Sequence, residues 1–471
     1  MTQNSINRRT RTTRVKDKPV LVPLGDIADV KLGKMLDRSK HKSGRNLPYL
    51  RNINVRWGHI DTADVSKMFF KNEDEEERYS VRKGDVLVCE GGEPGRAAVW
   101  TQEESNLKFQ KALHRVRFRN PYEPKLLVYF LEWAAGCGAL ERRFTGSTIK
   151  HFTKQAFVQL PVPNPPLPEQ RRIVARIEEL FSRLDAGVAA LHHAKAQLRR
   201  YRQSVLAAAV TGQLTQAWRE QHPDTEPAND LLKRTLEQRE KNWAGRGKYK
   251  VPTAPENSEL PALPEGWIWT TMEQLGLVIG GLTKNSKRNS LQTKLPYLRV
   301  ANIYADELRL DEIKKIGVAE SELGKLLLRK NDLLVVEGNG SKNQIGRLAI
   351  WDGSIEPCVH QNHLIKVRLT EPKLGKFVMA WMLSPSGRPH IERVASSTSG
   401  LYTLSVGKVS ELPVPLPPIA EQSQIVAEVE SRTTAIEQLE AELDRQITRS
   451  SCLRQSTLHA AFREQLKRSG S

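Results

Sequence analysis

"LPVPNPPLPEQRRIVARIEE" runs from Leu160 to Glu179, and "LPVPLPPIAEQSQIVAEVES" runs from Leu412 to Ser431. Twelve of the first 19 aligned positions are identical, at an offset of 252 residues. Proline lacks an N–H and fixes φ, so it suits a strand edge or a helix's first turn, not a helix interior. Each copy therefore reads as a boundary followed by a helix start. After the first boundary the apolar positions are Ile173, Ile177, Leu180, Leu184, Val188, Leu191, Ala194, Leu198 and Val205. After the second they are Ile425, Val429, Ile436, Leu439, Leu443 and Ile447. These steps of three, four and seven form a/d-type stripes, which predict two long helices whose narrow apolar faces pack on each other.

Working outward, the rest of the chain repeats as well. "LPYLRNINV" from Leu47 answers "LPYLRVANI" from Leu295, and "KGDVLVCEG" from Lys83 answers "KNDLLVVEG" from Lys330. "GRAAVW" from Gly95 answers "GRLAIW" from Gly346, and "QKALHRVR" from Gln110 answers "QNHLIKVR" from Gln361. "RQSVLAAAVTGQL" from Arg202 answers "RQSTLHAAFREQL" from Arg454. The chain is a tandem duplication. Short apolar or alternating runs such as "DVLVCE" and "LIKVRL", bounded by Gly, Pro, Asn and Asp, predict that residues 20–165 and 266–416 are mostly β, with some helix. The expected fold class is α+β: two mixed α/β domains related by pseudo-twofold symmetry and joined by two long antiparallel helices forming a coiled coil.

The antiparallel expectation follows from chain length. A helix from Leu167 to Leu214 is ~70 Å long at ~1.5 Å per residue. A flexible linker of about 50 residues reaches only ~40 Å, so the second globular part sits near the end of the first helix. The second helix then returns along the first. The expected divisions are a basic tail at 1–19, globular domains at 20–165 and 266–416, spacer helices at 166–217 and 417–468, and a tail or linker at 218–265. That tail has no counterpart in the second copy, and it packs on the helices or on a partner.

With 73 Lys and Arg against 54 Asp and Glu in 471 residues, the formal net charge is +19. Such a surplus points to a polyanionic partner, with nucleic acid favoured over a membrane surface because no apolar run approaches a spanning length. Arg8, Arg9, Arg11, Arg14, Lys16 and Lys18 have no apolar region behind them, and read either as a solvated arm or as a DNA-gripping one. Cys89, Cys137, Cys358 and Cys452 are far apart and form no zinc-type spacing, which suggests reduced thiols and a cytoplasmic location.

Catalytic patterns are weak. "NPPL" at Asn164 lacks the aromatic of an adenine-methyltransferase loop and lies on the helix boundary. Glu312-Ile313-Lys314 is too loose to indicate a nuclease, and acidic "NEDEEER" from Asn72 reads as a solvated face. No metal site and no catalytic residue is expected.

Basic loops are more informative. Lys34, Arg38, Lys40, Lys42, Arg45 and Arg51 crowd one stretch, and Lys284, Lys287, Arg288 and Arg299 crowd its counterpart. Both stretches lead into "LPYLR", and flexible basic loops on a sheet suit phosphate contact. Neighbouring Asn52, Lys111 and Asn302 are further candidates. Asn339, Ser341, Lys342 and Asn343 in "GNGSKNQ", with Gln361 and Asn362 in "HQNH", suit either base-edge reading or turn capping. Two similar but unequal readers on a fixed spacer suit a bipartite site, about one turn of double-stranded DNA (~10 bp) between centres.

The doubled Leu-Pro-x-Pro-x-x-x-x-x-Glu-Gln boundary with its long helix, the "KGDVLVCEGG"/"KNDLLVVEGN" and "GRAAVW"/"GRLAIW" cassettes, and the "RQSVLAAAVTGQL"/"RQSTLHAAF" helix ends resemble the specificity subunits of type I restriction-modification systems. The resemblance covers nearly the whole chain. It implies two target recognition domains, each reading half of a split DNA sequence, and helices that act as ruler and dock. It implies as partners two modification (methyltransferase) subunits that carry S-adenosylmethionine and methylate adenine, and restriction subunits that use ATP and Mg to translocate and cut. By the same resemblance this chain is non-catalytic and holds no cofactor of its own.

Overall fold

The computed structural model describes residues 21–36, 44–103, 106–243, 248–256, 260–398 and 400–467. It divides into two compact units: Met1–His192 with Leu443–Ser471, and His193–Glu442. In the first unit an antiparallel four-stranded sheet runs in the order Ala28–Leu32, Leu113–Phe118, Val86–Cys89, Ala97–Val99. Beside it, Arg45–Leu50 pairs with Ser66–Phe70 and, in parallel, with Lys108–Phe109. The second unit repeats both sheets. Its four strands are Gly276–Gly280, Leu364–Leu369, Leu333–Val336 and Leu348–Ile350, and its three-stranded sheet centres on Lys294–Leu298. The chain is therefore mixed helix and strand.

The opening motif resolves into two local structures. Its prolines form two-stranded ribbons, Pro161–Pro163 against Leu21–Pro23 and Pro413–Leu416 against Ile268–Thr271, where a missing N–H is tolerated. Its glutamine then locks the turn into the helix. Gln170 Nε2 donates to the Pro165 carbonyl at 2.8 Å, and Gln422 Nε2 donates to that of Pro417 at 2.6 Å. Both glutamines are buried.

The long helices are Leu167–Val210, of 44 residues, and Ile419–Lys467, of 49. The first stops short of the expected Leu214 because Gly212 adopts φ +72°, which turns the chain out of the helix. Glu464 stands at the matching place in the second copy, and that helix runs on. Within the second unit Arg202 of the first helix meets Glu437 and Glu440 of the second, while Thr215 and Arg219, beyond the first helix's end, meet Glu421 in the second helix's first turn. Leu439 lies off the expected seam, 54% exposed. Half-buried Glu440 takes that inward place, because Arg202 offers it a cation. In the first unit, Leu458 and Phe462 of the second helix close the core around Val174, Ile177 and Phe181.

The helix Ala228–Lys241, in the extra tail, packs on the second unit: Ala228 and Leu231 join its core, and Arg239 donates to the Gly276 carbonyl.

Glu421 is fully buried. It accepts from the Thr215 hydroxyl at 2.7 Å and the Trp267 indole at 2.8 Å, and pairs with Arg219. Its counterpart Glu169 stays partly exposed and pairs with Arg172 on its own helix.

The repeated "GDVLV"/"NDLLV" and "HRVR"/"IKVR" cassettes are structural. Arg117 grips buried Asp85 through Nε and Nη2, both at 2.7 Å, and Arg368 grips buried Asp332 at 2.8 and 2.5 Å. Two residues earlier, Arg115 donates to the Ser80 carbonyl, and Lys366 donates to the Lys325 and Leu327 carbonyls at the end of a short helix. Burial, reinforced by Arg368, pulls the Lys366 ammonium down to about 7.

This shift predicts a pH dependence. Between pH ~7 and the ordinary lysine value of ~10.4, the unfolded chain holds the Lys366 proton and the folded chain does not. Stability of the second unit should therefore rise with pH across that window, by at most ~1.4 kcal/mol per pH unit. Lys366→Met should flatten the rise, as read by urea unfolding at pH 7, 8 and 9. A slope unchanged in the variant would refute the assignment.

Candidate nucleic-acid interface

Each unit carries the same edge of loops around one turn. In the first unit, the turn Gln110–Ala112 is fixed on one side by the Lys34 N–H, which donates to Phe109, and the Lys111 N–H, which donates to Lys34. On the other side the Glu90 N–H donates to the Ala112 carbonyl. In the second unit the turn Gln361–His363 is fixed by the Asn362 N–H donating to Leu282 and the Glu337 N–H donating to His363. Loops thus leave beside each turn: at 90–96 in the first unit, and at 283–293 and 338–346 in the second.

Glycine permits this close packing. A Cβ on Gly33 would lie 2.2 Å from the Gln110 carbonyl oxygen, and one on Gly281 would lie 2.1 Å from that of Gln361. Beneath the turns, His114 Nε2 donates to the Phe152 carbonyl at 2.7 Å, and His360 Nδ1 donates to that of Leu326 at 3.2 Å. Burial lowers both imidazoles, His360 to about 3. These histidines support the edge from within as neutral rings.

A third element completes each edge, and the sequence reading missed it. A hairpin at Thr145–His151 in the first unit is held by reciprocal Thr145–His151 backbone bonds, and its foot by Phe152 N–H donating to Glu90. Its counterpart pairs Ser396–Thr398 with Leu401–Thr403, and Leu404 N–H donates to Glu337. "TGSTIKHF" and "SSTSGLYTL" lie at the same 252-residue offset as the helix boundary, and aligning them would have revealed the hairpin.

The candidate cations divide by what they already hold. Lys34 is buried, 2.6 Å from Glu75 and over the Phe70 ring. Arg45 pairs with Glu76, Arg51 with Asp64 and Arg299 with Glu312. Arg288 is 9% exposed and forks onto Glu322 with two 2.9 Å bonds. Asn302, also buried, accepts from the Arg299 N–H and donates to the Arg309 and Glu312 carbonyls, just as Asn54 serves the first unit. Asn52 donates to Gly91, and Asn339 accepts from the Ser341 N–H in a turn. The acidic run forms the helix Glu73–Arg78, capped by Asn72, and supplies the partners of Lys34 and Arg45. Glu312 likewise serves Arg299 and Lys314.

Lys111, Lys284, Lys287 and Lys342 are exposed on the edge loops, as is Ser341, with Gln361 and Asn362 half-buried at the turn. Arg38, Lys40, Lys42 and the tail at 1–19 lie outside the described residues, as does the side chain of Asn343. Among the described residues, no group of three or more His, Cys, Asp or Glu could hold a metal ion, and no helix is long and apolar enough to cross a membrane.

Residues 17–191 match the family described as the type I restriction modification DNA specificity domain. The chain is 26% identical over 431 residues to the type I restriction enzyme EcoKI specificity subunit of Escherichia coli strain K12, covering 89% of this chain and 82% of that one. It is 24% identical over 467 residues to the EcoBI specificity subunit of Escherichia coli, covering 96% and 87%. Among solved structures, a chain of a type I R-M system aligns with a TM-score of 0.65 at 17% identity, covering 94% of this chain and 96% of that one. The HsdS subunit of Thermoanaerobacter tengcongensis aligns at 0.50 and 17% identity over the same shares. By sequence and by fold, this chain is similar along most of its length to the specificity subunits of type I restriction enzymes, and its residues 17–191 match the type I restriction modification DNA specificity domain.

Proposed function

We propose that this chain is the non-catalytic DNA-reading subunit of a type I restriction-modification complex. Each globular domain, 20–165 and 266–416, reads one half of a bipartite, asymmetric target in double-stranded DNA. The observation that carries this reading is the loop edge built twice on the same sheet with different exposed side chains, since equal scaffolds with unequal loops suit unequal half-sites. Lys111, Lys284, Lys287 and Lys342 provide phosphate contact, and Ser341, Gln361 and Asn362 stand where base edges would be read. The two long helices act as an antiparallel coiled coil with pseudo-twofold symmetry, which sets the spacing of the half-sites and docks two methyltransferase subunits. Those subunits supply S-adenosylmethionine chemistry, and restriction subunits complete the assembly.

Methylation mapping of DNA from cells that express the chain with its modification partner tests this. A split motif with methylated adenine in each half, lost on deleting the chain, is expected. Methylation that persists without the chain would refute the reading.

A further inference from the structure

At the tip of the first-unit hairpin, Ile149 is 64% exposed; at the same place in the second, Leu401 is 46% exposed. A single exposed aliphatic side chain is ordinary. Here, however, the neighbours change between copies, Thr148 to Gly400 and Lys150 to Tyr402, while a branched aliphatic residue stands at the tip in both. Gly146 (φ +97°) brings the backbone so close that a Cβ would lie 2.2 Å from the Ile149 carbonyl oxygen, and Gly400 turns the second tip at φ +79°. Each hairpin foot is bonded to the loop edge through Glu90 or Glu337. An apolar side chain is thus presented outward on the edge that also carries the exposed Lys111 in the first unit and Lys284, Lys287 and Lys342 in the second.

A two-stranded ribbon fits the major groove, and the apolar group that base edges offer there is the 5-methyl of thymine. Building on the proposed DNA-reading role, we infer that Ile149 and Leu401 are specificity-determining residues, each packing against a thymine methyl in the half-site its unit reads. Such a contact adds discrimination and leaves phosphate binding unchanged.

The test uses the full chain with its modification partner and duplexes carrying the mapped target, with uracil replacing thymine at one position at a time. One thymine-to-uracil position per half-site should weaken binding by the native chain about fourfold, the value of one buried methyl. Ile149→Ala should show a similar loss on the native target, an unchanged salt slope, and no further loss from uracil in its half; Leu401→Ala should do the same in the other half. If no uracil position matters to the native chain, or if the alanine variants remain as uracil-sensitive as the native chain, the inference is overturned. A native chain that binds its target no tighter than scrambled DNA would instead sink the DNA-reading role itself.

Discussion

Replacing Glu421 by Ala is expected to destabilise the second unit by about 3–5 kcal/mol, the usual cost of breaking a buried ion pair from one side. The carboxylate has no exposed surface, and three groups converge on it from separate parts of the unit. Thr215 and Arg219 follow the end of the first long helix, Trp267 opens the second globular part, and Glu421 itself lies in the first turn of the second long helix. The position also suits the helix dipole, which favours a negative charge there. Arg219, partly exposed, can turn to water when the carboxylate is gone. The Trp267 indole and the Thr215 hydroxyl are buried and cannot, and each unsatisfied donor costs ~1–3 kcal/mol. Glu169→Ala, the same substitution in the other copy, should stay within about 0.5 kcal/mol, because its partner is a surface arginine one helical turn away. Urea or thermal unfolding decides between them: equal effects from the two substitutions would refute the buried-hub assignment.

The second large effect concerns binding. Substituting Lys284, Lys287 and Lys342 together by Gln should lower DNA affinity about a hundredfold at moderate salt and shrink the slope of log affinity against log salt by roughly 3. All three are exposed on loops that flank the Gln361–His363 turn. Their charges are available to displace counterions from phosphates, unlike that of Arg288, which Glu322 already holds. Net charge alone predicts a different result. If the overall +19 charge drove binding without a defined face, replacing exposed Lys233, Lys241 and Lys250 would cost as much. Fluorescence titration across a salt series separates the two: the tail variant should keep most of its affinity and its slope, and a loss equal to the loop variant's would rule out the loop face.

Much of the fold was legible because the chain states it twice. The proline boundary, the helix starts and the strand cassettes showed themselves by repetition, and the structure gives each a local cause: the glutamine lock on the proline carbonyl, and the buried Asp–Arg pairs. The end of the first helix was read too late because the apolar pattern continues through Leu214, while the φ > 0 of Gly212 decides the stop. Leu439 was placed in the seam by its chemistry, whereas the Arg202–Glu440 pair sets the inward face there. The candidate site was harder to read, since sequence shows charge but not pairing. Lys34, Arg45, Arg51, Arg288 and Arg299 stand out in sequence by their charge, yet the acids that occupy them lie 13 to 41 residues away.

The packing of Leu458 and Phe462 into the first unit's core bears on how the chain is made. A ribosome delivers Val174, Ile177 and Phe181 long before the two residues that cover them, and the whole of the second unit emerges in between. The second unit, contiguous in sequence, can condense as it leaves the exit tunnel. The first, although begun earlier, must wait with an open apolar face for its lid. Chaperone demand should therefore centre on the amino-terminal half of the nascent chain, and a stop codon shortly before Leu458 should leave that half, not its neighbour, prone to proteolysis.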